Sequence, residues 1–254
     1  MKLSMNIWKY LKYALAVFVL LLAIGFTNKK QSDRYVQDVV INIDNQFENY
    51  FIDQNDVYDL VHETGKTYLL NLDLSQLDLR VVEKKIEAHR FIGDAEVYHD
   101  LNGVLTIDIK QNRPLARILN PNGKDKYIGT TGLILPESSH YTARVPLISM
   151  SNKIVYSNEN VIETEEGKRL FELLTFIEND PFWKAQIAGM DIDSKYELTL
   201  HPQVTKQEII FGTADDYQNK FRRLKVFYKE ILPSKGWNNY SEVNLKYREQ
   251  IVCK

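Results

Sequence analysis

Ile107–Ile118 reads IDIKQNRPLARI, and the fold turns on how this stretch is parsed. Leu105, Ile107 and Ile109 alternate with Thr106, Asp108 and Lys110, the period-two pattern of a strand with one wet face. At Asn112-Arg113-Pro114 the alternation stops, and apolar residues resume at once with Leu115. Pro114 has no backbone N–H to give to a ladder and does not belong in the middle of a central strand. The chain therefore either finishes its sheet here or leaves one sheet to begin another.

Upstream, the pattern reads strand, helix, helix, strand, strand. Gln37–Ile43 (QDVVINI) is the first strand. FIDQNDVYDLV follows, with Asp53 as N-cap, Asp56 three residues on, and Val57, Leu60 and Val61 on one face; Gly65 is placed to end that helix. In DLRVVEKKIEAHR, Leu79, Val82 and Ile86 form an apolar stripe, while Glu83, Lys84, Lys85 and Glu87 cover the wet side. Asp94–His99 and Val104–Gln111 flank the turn residues Asp100-Leu101-Asn102-Gly103. Together these make a small sheet with two helices on one face, about 75 residues, the size of a small domain.

Downstream of Pro114, short apolar runs at Leu115–Leu119, Tyr127–Ile128, Leu133–Leu135 and Val145–Ile148 are separated by NPNGKD, GTTG and PESSH, which is β-rich punctuation. A helix over Glu165–Glu178 interrupts them and stops at Asp180-Pro181. Strands return at Gln186–Ile192, Leu198–His201 and Glu208–Phe211. A long late helix, Asp215–Ile231, is expected to be capped by Thr213 with Asp216 and ended by Pro233 and Gly236. SEVNLKYREQIV then reads as one terminal strand with Val243, Leu245, Tyr247 and Ile251 on one side.

The N-terminus differs in kind. The only charged residues among the first 26 are Lys2, Lys9 and Lys12, and Tyr13–Phe26 carries no charge. Two readings fit: a membrane anchor with Trp8, Tyr10 and Tyr13 at the interface, or a cleaved signal peptide with Ala23-Ile24-Gly25 as its cleavage site. Either one exports the remainder. With 32 basic against 34 acidic residues, the chain has no nucleic-acid footprint. Its single cysteine, Cys253, excludes an intrachain disulfide and any multi-cysteine metal site.

Catalytic signatures are missing from the sequence. The five histidines, His62, His89, His99, His140 and His201, have no metal-ligand spacing, and no nucleophile elbow or phosphate loop occurs. Asp191-Ile192-Asp193 lacks the glycine and distal glutamate of a calcium loop and reads as a strand end. Lys220, Arg222, Arg223, Lys225 and Lys229 are expected on a solvated helix face. Arg113 reads as a hinge or inter-domain salt-bridge residue. No catalytic, cofactor-binding or metal-ligating residue is assigned.

Without chemistry, an exported β-rich chain reads as a binding platform. An edge strand presents unpaired N–H and C=O groups to a partner strand, and the terminal strand, bearing Lys246, Arg248 and Glu249, is the candidate edge. The alternative places that strand between two neighbours. A second function class also stands, an exported cell-wall-acting enzyme with a signal peptide, which would need residues such as His140, Asp191 and Asp193 gathered in a cleft. A barrel-forming outer-membrane assembly factor is excluded by length and by the late helix.

Three stretches carry a family resemblance: FIGDAEVYHDLNGVLTIDIKQNRPLARI, YIGTTGLILP, and IIFGTADDYQNKFRRLKVFY with EVNLKYREQIV. They resemble the FtsQ/DivIB family of bacterial cell-division proteins. Gly129-Thr130 and Gln111-Asn112 stand where that family commonly has acidic residues. The resemblance implies an α+β chain: a cytoplasmic tail over 1–9, a transmembrane helix over 10–27, a linker over 28–34, a POTRA domain over 35–112 and an FtsQ-type β-domain over 113–254. It implies a non-enzymatic, single-pass scaffold of the inner membrane at the division site, its bulk outside the cytoplasm. Such a scaffold holds FtsB-like and FtsL-like bitopic partners, contacts other division proteins through the POTRA domain, and influences septal peptidoglycan synthesis. Partner contact maps onto Lys246, Tyr247, Glu249 and Ile251, and the domain junction onto Arg113 and Pro114.

Overall fold

The computed structural model describes residues 12–22, 35–45, 50–62, 69–151 and 159–254. Residues 12–22 are helical and exposed, and no helix among the described residues is long and apolar enough to cross a membrane. The expected tail, the linker, the ends of the expected anchor and Gly65 lie outside the described residues. The remaining chain divides into two units, the described parts of Met1–Asp44 with Ile52–Lys110, and of Asn45–Phe51 with Gln111–Lys254.

In the first unit, β1 (Asp38–Asp44), α1 (Gln54–His62), α2 (Leu79–Glu87), β2 (Ile92–His99) and β3 (Val104–Gln111) follow the expected order. The sheet order is β1-β3-β2. β1 runs parallel to β3 from Asp38↔Val104 to Asp44↔Lys110, so the chain must cross over between them, and the two helices make that crossover. Leu105, Ile107 and Ile109 of β3 are buried, as are Val82 and Ile86 of α2. Both helix starts follow the sequence. Asp53 accepts from the Asn55 and Asp56 amides at 2.7 and 3.0 Å while Asp56 accepts from the Asp53 amide at 2.8 Å, a reciprocal cap. Asp78 accepts from the Arg80 amide at 3.1 Å. In the β2–β3 turn, Asp100 takes the Asn102 and Val104 amides at 2.8 and 2.9 Å. These bonds, the Val104 amide foremost, hold its carboxyl below the usual range. Gly103 sits at φ +86°, where a Cβ would lie 2.5 Å from the Tyr35 carbonyl oxygen.

The second unit is built on one nine-stranded sheet. Its strands are β4 (Pro114–Ile118), β5 (Lys126–Gly129), β6 (Ile134–Leu135), β7 (Leu147–Met150), β8 (Ile187–Ile192), β9 (Leu198–Pro202), β10 (Glu208–Gly212), β11 (Glu242–Asn244) and β12 (Val252–Cys253). They are ordered β12-β11-β10-β9-β8-β7-β4-β5-β6. Pro114 opens β4, the one place in a central strand where its missing N–H is tolerated. The opening stretch is thus a passage from one sheet to another.

α3 (Glu165–Asn179) buries Leu170, Leu173, Leu174 and Ile177, each worth about 1.5–3 kcal/mol when fully removed from water. The helix does stop at Asp180, and another starts there at once: α4 (Pro181–Gln186). The Asp180 carboxylate accepts from the Phe182 and Trp183 amides at 2.8 and 3.3 Å, and Pro181 occupies the first helical position, where a missing N–H costs nothing. Trp183 is thereby buried against Phe221, ring centroids 4.6 Å apart.

The late helix departs from its expected form. It begins at Tyr217 as α5 (Tyr217–Val226), loosens into a π-helical turn over Phe227–Ile231, and continues as α6 (Leu232–Lys235). Asp216 takes the left-handed region at φ 53° and makes no side-chain cap, so the expected Thr213–Asp216 capping pair does not form. Pro233 does not end the helix. It lies in the first turn of α6, where its missing N–H is tolerated, and Gly236, at φ +99°, terminates it.

Candidate partner-binding edge

The residues expected to form one terminal strand form two, and this is the main correction to the sequence reading. β11 pairs parallel to β10 through Ile209↔Val243 and Ile210↔Asn244. The chain then turns over 245–251 and returns as β12, antiparallel to β11, with Val243↔Cys253 and Asn244↔Val252. Lys246, Tyr247 and Glu249 therefore lie in the turn, and Ile251 immediately precedes β12. The break has local causes. Leu245 is fully buried and donates its amide to the Ile210 carbonyl at 2.9 Å. The Asn244 side chain then accepts from the Lys246 amide at 3.0 Å, a side-chain turn of the kind asparagine favours.

Three carbonyls of the turn converge on one side chain. Arg223 of α5 donates Nη1 to Tyr247 O at 2.5 Å and to Gln250 O at 2.9 Å, and Nη2 to Leu245 O at 3.0 Å. Its Nε is buried with no acceptor among the described residues, a cost on the order of 1–3 kcal/mol that the three charge-assisted bonds offset. On the other side of the turn, Lys246 Nζ meets both Glu197 oxygens at 2.8 Å. Bonding to Glu197 raises the Lys246 pKa. The Lys246 stem passes Gly212, where a Cβ would come within 3.0 Å of Cγ and would itself need φ +73°.

The ladder phase shows which backbone groups face outward. Glu242 and Lys254 exchange amide bonds, 3.3 Å from the Glu242 N–H and 3.1 Å from the Lys254 N–H. The next pair, Val243 and Cys253, is then non-hydrogen-bonded with each other. Cys253 consequently turns its N–H and C=O away from β11. β12 is the last strand of the sheet, with β11 as its one neighbour among the described residues. Tyr247 and Val252 are exposed beside it, whereas Ile251 and Cys253 are half-buried against the core. Burial pushes the Cys253 thiol pKa up.

The other singled-out residues are structural. Arg113 pairs with Glu178 at the end of α3, and Lys184 joins the same carboxylate at 2.7 Å. Glu178 belongs to the same unit as Arg113, so this pair ties the residue before β4 to the end of α3 within the second unit. The basic face of the late helix is not uniformly solvated. Besides the Arg223 clamp, Lys220 is buried, donates to Thr213 O at 2.7 Å and lies 4.9 Å from the Phe211 ring centroid. Burial lowers its pKa. Asp193 accepts from the Lys195 and Glu197 amides at 2.8 and 2.9 Å, forming the turn after β8. Asp191 makes an exposed contact with His201 at 2.8 Å. Arg223 was discoverable only through the strand break, since a lysine- and arginine-rich helix gives no hint of which cation turns inward.

The chain thus joins in sequence a mixed α/β unit with two helices in its crossover and a sheet whose last strand, β12, has one neighbour among the described residues. Residues 34–110 match the POTRA-like domain, and residues 113–254 match the family described as FtsQ/DivIB, C-terminal related. The second match spans more than half of the chain, and the chain belongs to the FtsQ/DivIB family of division scaffolds. Membership gives it a role in cell division and an association with the division-site membrane. No curated protein matches the chain.

Proposed function

We propose that this protein is a single-pass membrane scaffold of the division machinery that takes up FtsB-like and FtsL-like bitopic proteins by strand addition on β12, and so helps to control septal peptidoglycan synthesis. The observation that carries the proposal is the outward N–H and C=O of Cys253 at the end of a nine-stranded sheet. A partner strand would extend the ladder there, gaining main-chain bonds, while side chains beside the edge select the partner. Ile251 would flank the added strand. Lys246, Tyr247 and Glu249 would meet the partner from the turn. The domain limits 35–112 and 113–254 and an anchor over 10–27 belong to the same reading, supported by the charge-free run Tyr13–Phe26.

The test is recovery of small bitopic division proteins with the tagged full-length chain from growing cells. Wild type and Cys253→Ala should both recover them. Cys253→Pro removes one outward N–H, leaves the β11 bonds intact, and should lose them with little change in urea midpoint. Failure of wild type to recover any such protein would sink the scaffold reading. Normal recovery by Cys253→Pro would sink the β12 edge.

A further inference from the structure

We infer that Arg223 is the positioning residue that presents the β12 edge to an incoming strand; this rests on the strand-addition reading above. The sequence 241–252 alternates as though it were one continuous strand, yet the chain folds back on itself at 245–251. That reversal sets both the place and the direction of β12. Two residues of ladder, Val252 and Cys253, fix a strand poorly by themselves.

The turn has few bonds of its own. The Asn244–Lys246 side-chain bond holds its start, and the Lys246–Glu197 pair holds one flank from an exposed position. Arg223 reaches the beginning, middle and end of the turn together, through the carbonyls of Leu245, Tyr247 and Gln250. A planar guanidinium offers donors in a fixed fork, so the carbonyls must adopt one arrangement to be satisfied. Arg223 contributes no group to the edge itself. It acts by removing the freedom that β12 would otherwise lose on binding, the cost that preorganisation avoids. Lysine, with one nitrogen, cannot bridge three carbonyls spread along a turn.

The test compares wild type, Arg223→Gln and Arg223→Lys in the full-length protein. The measurements are amide exchange over 245–254 in the free protein, urea midpoint, and association and dissociation rates for the FtsB-like partner. Arg223→Gln should speed exchange over 245–254 at least tenfold while leaving exchange in β8 and β9 unchanged. It should also weaken partner capture about tenfold or more, mainly by slower association. Arg223→Lys should fall between the two, and keeps the test decisive if the glutamine variant does not fold. Unchanged exchange over 245–254 in both variants would overturn the clamp. Exchange raised equally throughout the second unit would overturn it too, by reducing Arg223 to general stability. If wild type binds no such partner, the strand-addition reading fails, and the free-protein exchange still decides whether Arg223 orders the turn.

Discussion

The two ends of the nine-stranded sheet are treated in opposite ways. At the β6 end the edge is sealed: the Ile134 N–H reaches Glu159 O at 2.9 Å, the Val161 N–H reaches Gly132 O at 2.8 Å, and Leu133 and Asn160 form an isolated bridge. The segment 159–161 thus occupies the place a foreign strand would take. At the β12 end no such strap occurs among the described residues. Like β6, β12 is only two residues long; it is framed by charged side chains and tied back by Arg223. Short, charge-framed edges avoid indiscriminate pairing, so brevity and charge protect the second edge, whereas the first is covered as well. Among the described residues, a strand added at the first edge would displace 159–161, whereas one added at the second would displace none.

Breaking the sealed edge should give the largest effect. Gly167, at the start of α3, lies under the strap, and a Cβ there would stand 1.9 Å from Val161 O and 2.8 Å from Thr164 Oγ1. Gly167→Ala must push the strap away. It should cost about 2–3 kcal/mol, the upper range for overpacking, read as a fall in urea midpoint with faster exchange at Ile134. A smaller change to the same strap is Asn160→Ala. Asn160 caps the turn at Val161–Glu163 by accepting from the Ile162 amide at 3.1 Å, and its loss should cost about 1 kcal/mol, again without effect on partner capture. The smallest effect belongs to the open edge. Glu197 raises the Lys246 pKa above the ordinary lysine value. Its contribution is therefore complete below the unfolded value of about 10.5 and is lost only as pH climbs through the higher folded value. The difference in urea midpoint between Lys246→Met and wild type should thus stay constant from about pH 6 to 9.

The same contrast explains what the sequence made legible. Alternation at Leu105–Ile109, the aspartate caps and the Asp100–Gly103 turn are local signals, and each element they announce is present. Pro114 marked the change of sheet because a missing N–H constrains a strand from within. Other features were decided by tertiary contacts. The burial of Leu245 and its bond to β10 break what alternation alone would continue, so partner residues assigned to a strand came out in a turn. α4 was missed because Asp180-Pro181 is read equally well as a stop and as a start. Lys220 and Arg223 leave the solvated face expected of them because helical spacing gives only a face, and carbonyls from distant segments can recruit a cation from its edge.

The most direct measurement is amide exchange at Cys253 in the full-length protein, alone and bound to its FtsB-like partner. Strand addition should slow this amide at least tenfold on binding, while the Ile134 amide, already bonded to Glu159, stays as it was. A stable complex that leaves Cys253 exchanging at its free rate, with protection appearing elsewhere, would contradict the assignment of the docking edge.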